Sequence, residues 1–382
     1  MSPEWKRTWA EISMDNIAGN YRQIRQKLHK GCKLMAIVKA DAYGHGAAAV
    51  AELMRELGAD WLGVATIYEA IGLREAGNDL PILILGPTPP ELTNWLISHN
   101  LTQTVYDVSG AQAFSSRALA LGRRLNVHIK VDTGMTRLGI PCKCGADEDT
   151  ALHQIQEIHR LPGLAAEGIF THFANADVKN DAYTLLQFSR FTALIKKLES
   201  LGISFALRHC ANSGAIVNYP QTQLDMVRPG IILYGAYPAE DMHTDISLRQ
   251  AMSLKSLISQ IKSVGRNVSV SYGCTYLTKG ETRIAVVEAG YADGLSRKLS
   301  NSGQMVVRGR TVPVIGTICM DRCMLDVTDV DGVRAGDIVT IFGYDGEVPE
   351  VCAPVERMAK RAGTISYEIL CGVSKRVPRF YI

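Results

Sequence analysis

The sequence predicts a (β/α)8 barrel of the TIM type followed by a mainly β domain. Three observations carry this. Eight short, continuously apolar runs recur in the first two thirds of the chain. Segments with helical spacing separate them. After about residue 245 the texture changes to strands joined by glycine-rich turns. Continuous apolar strands alternating with helices imply a parallel sheet buried on both faces. Eight strands in about 235 residues suit a closed barrel better than a doubly wound open sheet. At 382 residues the chain also exceeds one ordinary core.

Taken in order, "TWAEIS" reads as a strand and "MDNIAGNYRQIRQKL" as a helix. The barrel strands are then "LMAIV" (34–38), "WLGVAT" (61–66), "PILILG" (81–86), "TQTVYD" (102–107), "LNVHIKV" (125–131), "LAAEGIFTH" (164–172), "FALRHC" (205–210) and "MVRPGIILYG" (226–235). Between them, "AAAVAELMRELG", "IYEAIGLREAG" and "LLQFSRFTALIKKLESLG" carry apolar positions three and four apart and end on glycine. Beyond the barrel, "SLKSLISQIKSV", "TRIAVVEAGYADG", "QMVVRGRTVPVIGTICMDRCMLDVTDV" and "DIVTIFG" read as strands, with one short helix near "CAPVERMAKRAG". The division is residues 1–245 for the barrel and 246–382 for the β domain, with the first 12 or so open to either. No flexible linker separates the two, so close packing is expected.

Composition narrows the function. Charged residues make up 21% and the net charge is +3, so neither nucleic acid nor a charged membrane surface is the expected partner. No run of about 18 apolar residues is present to span a bilayer. The charged N-terminus, "MSPEWKRTWAEI", has no apolar signal region, so a soluble cytoplasmic protein is expected. The nine cysteines form no regular framework. "CKC" (Cys142, Cys144) and "CMDRC" (Cys319, Cys323) fit no standard zinc spacing. Reduced structural thiols are expected, and no metal; Cys319 and Cys323 read as alternate residues of a β segment.

In such barrels the active site lies at the C-terminal ends of the strands. Strand one ends at Lys39, in "VKADAYGHG". Strand five delivers Lys130, Asp132 and Arg137; strand six ends at His172; strand seven gives His209, Asn212 and Ser213; strand eight carries Arg228 and Gly230. Cations and polar groups therefore gather at one face. By position, Lys39 either snorkels to the rim or is desolvated into a neutral amine that attacks carbonyls. The "ANSG" and "RPGI" loops follow strands seven and eight, the usual phosphate corner of these barrels. A Schiff-base lysine opposite a phosphate cradle suggests pyridoxal phosphate or the sugar-phosphate substrate of an aldolase.

"VKADAYGHG" resembles the pyridoxal-phosphate attachment motif of the bacterial alanine racemases. The resemblance covers essentially the whole chain and continues in order through "IKVDTGMTRLG", "THFANAD", "ANSGAI", "DMVRPGIILYG", "SYGCTY", "AGYADG", "GTICMDRCMLDV" and "TISYEIL". It implies a pyridoxal-phosphate barrel followed by a β domain that also holds the N-terminal strand. Lys39 resembles the lysine that holds the cofactor and acts as one base, and Tyr272 the second base, contributed by the partner subunit of a homodimer. Arg228 resembles the arginine facing the pyridine nitrogen, with His172 behind it. Tyr43, Ser213, Gly230 and Tyr367 match positions around the phosphate, with Asn212 and Ile231 alongside. Arg137 matches a residue that bonds the cofactor's phenolic oxygen and helps with the substrate carboxylate, and the partner's Met320 the backbone donor to that carboxylate. Tyr291 and Asp321 match residues at the mouth of the site. Lys130 matches a lysine often carbamylated in the family, which then holds Arg137.

The implied reaction is interconversion of L- and D-alanine by two bases on opposite faces of Cα. A tyrosine base has a reference pKa of about 10, so cations must stand beside it. Arginine can only donate, so it leaves the ring nitrogen unprotonated and limits side reactions. Tyr367 also matches the tyrosine that closes over the substrate side chain, which favours a methyl. A serine racemase or a broad small-amino-acid racemase is the alternative within this chemistry. A pyridoxal-phosphate-binding protein without turnover would lack the β domain, and a basic amino-acid decarboxylase would lack "SYGCTY".

Overall fold

The computed structural model describes residues 7–143, 145–239, 242, 246–345, 348 and 350–382. Cys144 of the "CKC" pair, the first six residues and the division point at residue 245 lie outside the described residues. The chain opens with β1 (Thr8–Ile12) and a helix, Met14–Gln26, whose N-cap Ser13 accepts from Asn16 N. The barrel strands follow as β2 (Lys33–Ile37), β3 (Trp61–Val64), β4 (Ile82–Ile84), β5 (Leu101–Val105) and β6 (Leu125–Asp132), with a two-residue β7 (Ile140–Pro141) beside β6. Then come β8 (Leu164–Phe170), β9 (Leu207–His209) and β10 (Met226–Val227).

The order β10-β2-β3-β4-β5-β6-β8-β9 is parallel throughout, giving eight barrel strands. Closure between β9 and β10 uses isolated bonds in place of a ladder: Asp225 N donates to Arg208 O (3.1 Å) and Arg228 N to Ala211 O (2.9 Å). The eighth strand is shorter than the apolar run suggests. Pro229 has no N–H to continue a ladder, and Ile231–Tyr234 instead coil into a fully buried 3-10 turn. The three helices expected from spacing run over Ala47–Glu56, Ile67–Glu75 and Ala182–Ser200.

The second domain is built on β11 (Met252–Val264), with a hairpin of β12 (Ser269–Val270) and β13 (Tyr276–Leu277). It continues through β14 (Thr282–Val287), β15 (Gln304–Val307), β16 (Arg310–Pro313), β17 (Cys323–Asp326), β18 (Ile338–Tyr344), β19 (Cys352–Ala353) and β20 (Arg379–Tyr381). The N-terminal strand belongs here: β1 pairs antiparallel with β11 and parallel with β20. One continuous apolar core runs from the barrel into this sheet, from Leu34 and Val127 to Val339 and Phe342.

The helix near "CAPVERMAKRAG" spans Val355–Ala362, and a second, Ser366–Cys371, carries Tyr367 back toward the barrel. Cys323 lies in β17. Cys319 sits in the turn before it, where Cys319 N donates to Arg322 O (2.8 Å), so the two are not alternate residues of one strand. The described cysteines are free, and no described helix is long and apolar enough to cross a membrane.

Candidate active site

Strand β2 ends at Ile37, whose carbonyl accepts from Tyr234 Oη (2.8 Å), and the chain then turns sharply at Lys39. Ala40, Asp41, Ala42 and Tyr43 have φ of 53°, 54°, 53° and 55°, a full left-handed helical turn without glycine. Each such residue costs about 1–2 kcal/mol, and they normally occur singly. Local bonds hold the turn. Gly46 N donates to Asp41 O (2.9 Å), and Ala47 N to the Asp41 carboxylate (2.7 Å). His45 Nδ1 donates to the carbonyls of Ala42 (2.9 Å) and Tyr43 (3.0 Å). Burial pulls His45 down to about 4, so it is a neutral brace.

Lys39 opens into a cavity of about 470 Å³ at the C-terminal ends of the barrel strands. Its wall carries Lys39, Lys130, Arg137 and Arg228 and no carboxylate. Burial lowers the Lys39 pKa, Arg137 and Arg228 lower it further, and Glu69 and Cys371 oppose them. Burial, then Arg228, Arg137 and Lys39, bring Lys130 down to about 7. Such a chamber favours neutral amines and anionic guests.

Arg228 is fixed from behind. Its Nη1 donates to His209 Nδ1 (2.8 Å), and its Nη2 to Thr171 O (2.8 Å), Cys210 O (3.2 Å) and His172 Nδ1 (3.1 Å). Arginine only donates, so both histidines accept at Nδ1 and carry their proton on Nε2. His209 Nε2 then donates to His128 Nδ1 (2.9 Å). The His128 Nε2–H faces Glu167 at 3.7 Å, beyond a direct hydrogen bond. Burial first, with Arg228 next, keeps His172 and His209 neutral. Burial brings Arg228 itself to about 10, still charged at neutral pH.

The opposite corner presents hydroxyls. Gly230 N donates to Ser213 Oγ (2.9 Å), leaving the Ser213 proton for a guest. Tyr43 and Tyr367 lie with ring centroids 5.9 Å apart, and burial raises both phenol pKa values, so they remain O–H donors. A Cβ on Gly230 would fall 2.5 Å from Tyr43 Oη, so glycine is required for this approach. Asn212 caps the following helix by accepting from Ala215 N (3.0 Å). These donors suit a phosphate, and Lys39 with Arg228 suits an aldehyde-bearing pyridine ring. The residues therefore fit pyridoxal phosphate.

The structure brings Lys39, Tyr43, Lys130, Arg137, His172, Asn212, Ser213, Arg228, Gly230 and Tyr367 to one cavity. Ile231 does not line it and is fully buried. Asp132 shapes the Arg137 loop, accepting from Gly134 N (2.9 Å) and Thr136 N (3.0 Å). Tyr272, Met320 and Asp321 line a separate hollow on the β domain, where Tyr272 is 73% and Met320 53% exposed. Tyr291 is exposed near that loop, its N–H donating to Cys319 O (3.0 Å). Thr317 holds the Tyr272 backbone, its Oγ1 donating to Tyr272 O (2.8 Å).

Sequence reading missed His128, Glu167 and Phe170, the last stacked on His209 at 4.7 Å. A signal for His128 existed. It lies two residues before Lys130, on the same strand face, and Gly168 leaves room for its ring, which a Cβ would approach to 2.6 Å.

A desolvated lysine, a donor-rich anion corner and a braced arginine at the strand ends of a parallel barrel are the features of an enzyme that binds small polar molecules at that face. Residues 12–238 match the family profile "Alanine racemase, N-terminal domain", and residues 251–381 match "Alanine racemase, C-terminal domain". The alanine racemase of Methanococcus maripaludis is 45% identical over 375 residues, 98% of each chain. The solved alanine racemase of Clostridium difficile 630 is 42% identical, with a TM-score of 0.90 over 98% of this chain and 96% of its own. The alanine racemase of Bartonella henselae, solved with covalently bound pyridoxal phosphate, is 27% identical, with a TM-score of 0.87 over 98% of this chain and 99% of its own. The chain belongs to the alanine racemase family, and its activity is the isomerisation of L-alanine and D-alanine.

Proposed function

We propose that pyridoxal phosphate is held on Lys39 and that alanine is racemised by Lys39 and by Tyr272 of the partner subunit. The observation that carries this is the Lys39 chamber, lined by two lysines and two arginines, with no carboxylate and with neutral hydroxyl donors opposite. When bound, the cofactor supplies the electron sink that lets the Cα proton leave. Tyr43, Ser213, Tyr367 and the Gly230 region hold its phosphate. Arg228, braced by His172 and His209, meets its ring nitrogen as a donor, which suppresses competing chemistry. Lys39 Nζ moves the Cα proton on one face and the tyrosine Oη on the other.

Arg137 and the backbone N–H of Met320 of the partner subunit orient the substrate carboxylate. The high exposure of Tyr272 and Met320 in a single chain supports their delivery across a homodimer interface. Tyr291 and Asp321 frame the mouth of the completed site. Carbamylation of Lys130, whose amine is neutral above about pH 7, would turn a group that repels Arg137 when protonated into an anion that holds it. The free cysteines suit a reducing compartment, and the cytoplasm is the proposed location.

Lys39→Ala is expected to lose the cofactor's visible absorbance, and retention would overturn the assignment of the lysine. Tyr272→Phe is expected to lose racemisation in both directions, and wild-type rates would end the two-base scheme. Tyr367 leaves room for a methyl, so L-alanine is expected to exceed L-serine in kcat/KM. A tenfold preference for serine, about 1.4 kcal/mol, would reverse the substrate assignment.

A further inference from the structure

We propose that Glu69 is a positioning residue for Lys39, acting through the left-handed turn. This rests on Lys39 being the reactive lysine. Glu69 stands on the helix after β3 and forms a capping box with Thr66. Glu69 N donates to Thr66 Oγ1 (3.3 Å), and Thr66 N donates to Glu69 Oε2 (3.1 Å). A cap needs no more than this reciprocal pair. Here the same carboxylate also takes Ala65 N on Oε2 (2.7 Å) and Ala40 N on Oε1 (2.7 Å). The Ala40 N–H belongs to the peptide that leaves Lys39. One carboxylate thus joins the ends of two neighbouring strands at the residue that must aim the amine.

The turn needs such a hold because four consecutive non-glycine residues sit at φ near +54°. Its backbone bonds run back to its own strand, with Ala42 N donating to Val38 O (2.9 Å), and Arg379 Nε donates to Gly44 O (3.1 Å), whereas the Glu69 bond ties its first peptide to the end of the neighbouring strand. Charge adds to geometry. Burial, Arg137 and Arg228 favour the neutral Lys39 amine, and Glu69 and Cys371 are the groups that oppose them. Glu69 therefore fixes the peptide that follows the amine and, against burial and Arg137, raises the amine's proton affinity. Nearby, Lys39 lines the inner cavity, and Ala40 lines both that cavity and an outer groove that Glu69 also lines.

The test compares Glu69→Gln, Glu69→Asp and Thr66→Ala in the full-length holoenzyme. Glutamine has one acceptor oxygen, so its NH2 must face a backbone N–H. Aspartate keeps the charge but is a methylene short. Thr66→Ala removes the hydroxyl half of the cap and leaves the Ala40 bond. Expected for Glu69→Gln is a fall in kcat of roughly tenfold to a hundredfold, the scale of a small misplacement at a reacting group, with KM little changed. Hydroxylamine should release the cofactor faster. Amine labelling of Lys39 in the same chain after release, read by peptide mass, should have its midpoint at lower pH.

Glu69→Asp should lose kcat with a smaller labelling shift, which keeps the test decisive if Glu69→Gln folds poorly. Thr66→Ala should lower Tm without moving the Lys39 midpoint. Equal labelling shifts and equal kcat losses in Thr66→Ala and Glu69→Gln would reduce Glu69 to a helix cap and overturn the proposal. Wild-type kcat and midpoint in both Glu69 variants would do the same while leaving Lys39 in its role. Mapping the wild-type cofactor to another residue would instead remove the reading on which the proposal rests.

Discussion

Gly230→Ala tests the anion corner with one methyl group. The added Cβ would lie 2.5 Å from Tyr43 Oη and 3.2 Å from its Cζ. Carbon–oxygen contacts relax at about 3.3–3.6 Å, so the phenol must retreat by about 1 Å. Tyr43 has little room. It is 7% exposed, with its ring 4.9 Å from Tyr234, on a backbone already held in the left-handed region. On the proposed role of Tyr43, moving it would remove one hydrogen bond to a charged phosphate, worth about 1.5–3 kcal/mol. Cofactor affinity should therefore fall by roughly tenfold to a hundredfold or slightly more.

The assay is titration of pyridoxal phosphate into cofactor-free Gly230→Ala and Tyr43→Phe, singly and together, followed by absorbance. If the methyl acts through the phenol, the double variant should lose less than the sum of the single losses. A modest fall in Tm is also expected, because overpacking typically costs about 1–3 kcal/mol. Affinity within twofold of wild type, at unchanged Tm, would refute the contact and the role given to Tyr43.

Lys130 gives a pH test. Its folded-state pKa of about 7 lies below the ordinary 10.5, so the unfolded chain holds more protons between those values and stability rises with pH across that window. Lys130→Met, compared with wild type in carbon-dioxide-free buffer, should raise Tm at pH 6 and have little effect near pH 10.5; equal gains at both would contradict this. With 13C-bicarbonate, a carbamate signal present in wild type and absent from Lys130→Met would mark the modification. A 1:1 refolded mixture of inactive Lys39→Ala and Tyr272→Phe chains should recover about one quarter of wild-type activity, since half the dimers are mixed and each of those has one intact site. No recovery, with mixed dimers demonstrated, would exclude shared sites.

The barrel and its chemical face were legible because both follow local rules. A strand buried on two faces must be continuously apolar, a helix on the barrel must repeat at three and four residues, and a polar residue ending such a strand points to the open face. Those rules alone place Lys39, Lys130, His172, Ser213 and Arg228 at one face, and the fold brings them to one cavity. The rules were not enough for the eighth strand, whose apolar run Met226–Gly235 is mostly a 3-10 turn after Pro229. Apolar content reports burial and does not report which backbone partner is present.

By itself the sequence determined the alternation of elements, the residues at strand ends and, through its ordered motifs, the family. Only the tertiary structure decided where β1 pairs, that His128 and His209 stand behind Arg228, that Lys39 begins a left-handed turn, and that Tyr272 lies in a different hollow from Lys39. The physical reason is range. Periodicity and strand-end chemistry are set by neighbours in the chain. Strand partners, buried hydrogen-bond chains and a strained turn depend on groups such as Glu69 and Ala40, which are 29 residues apart in sequence and 2.7 Å apart in the fold.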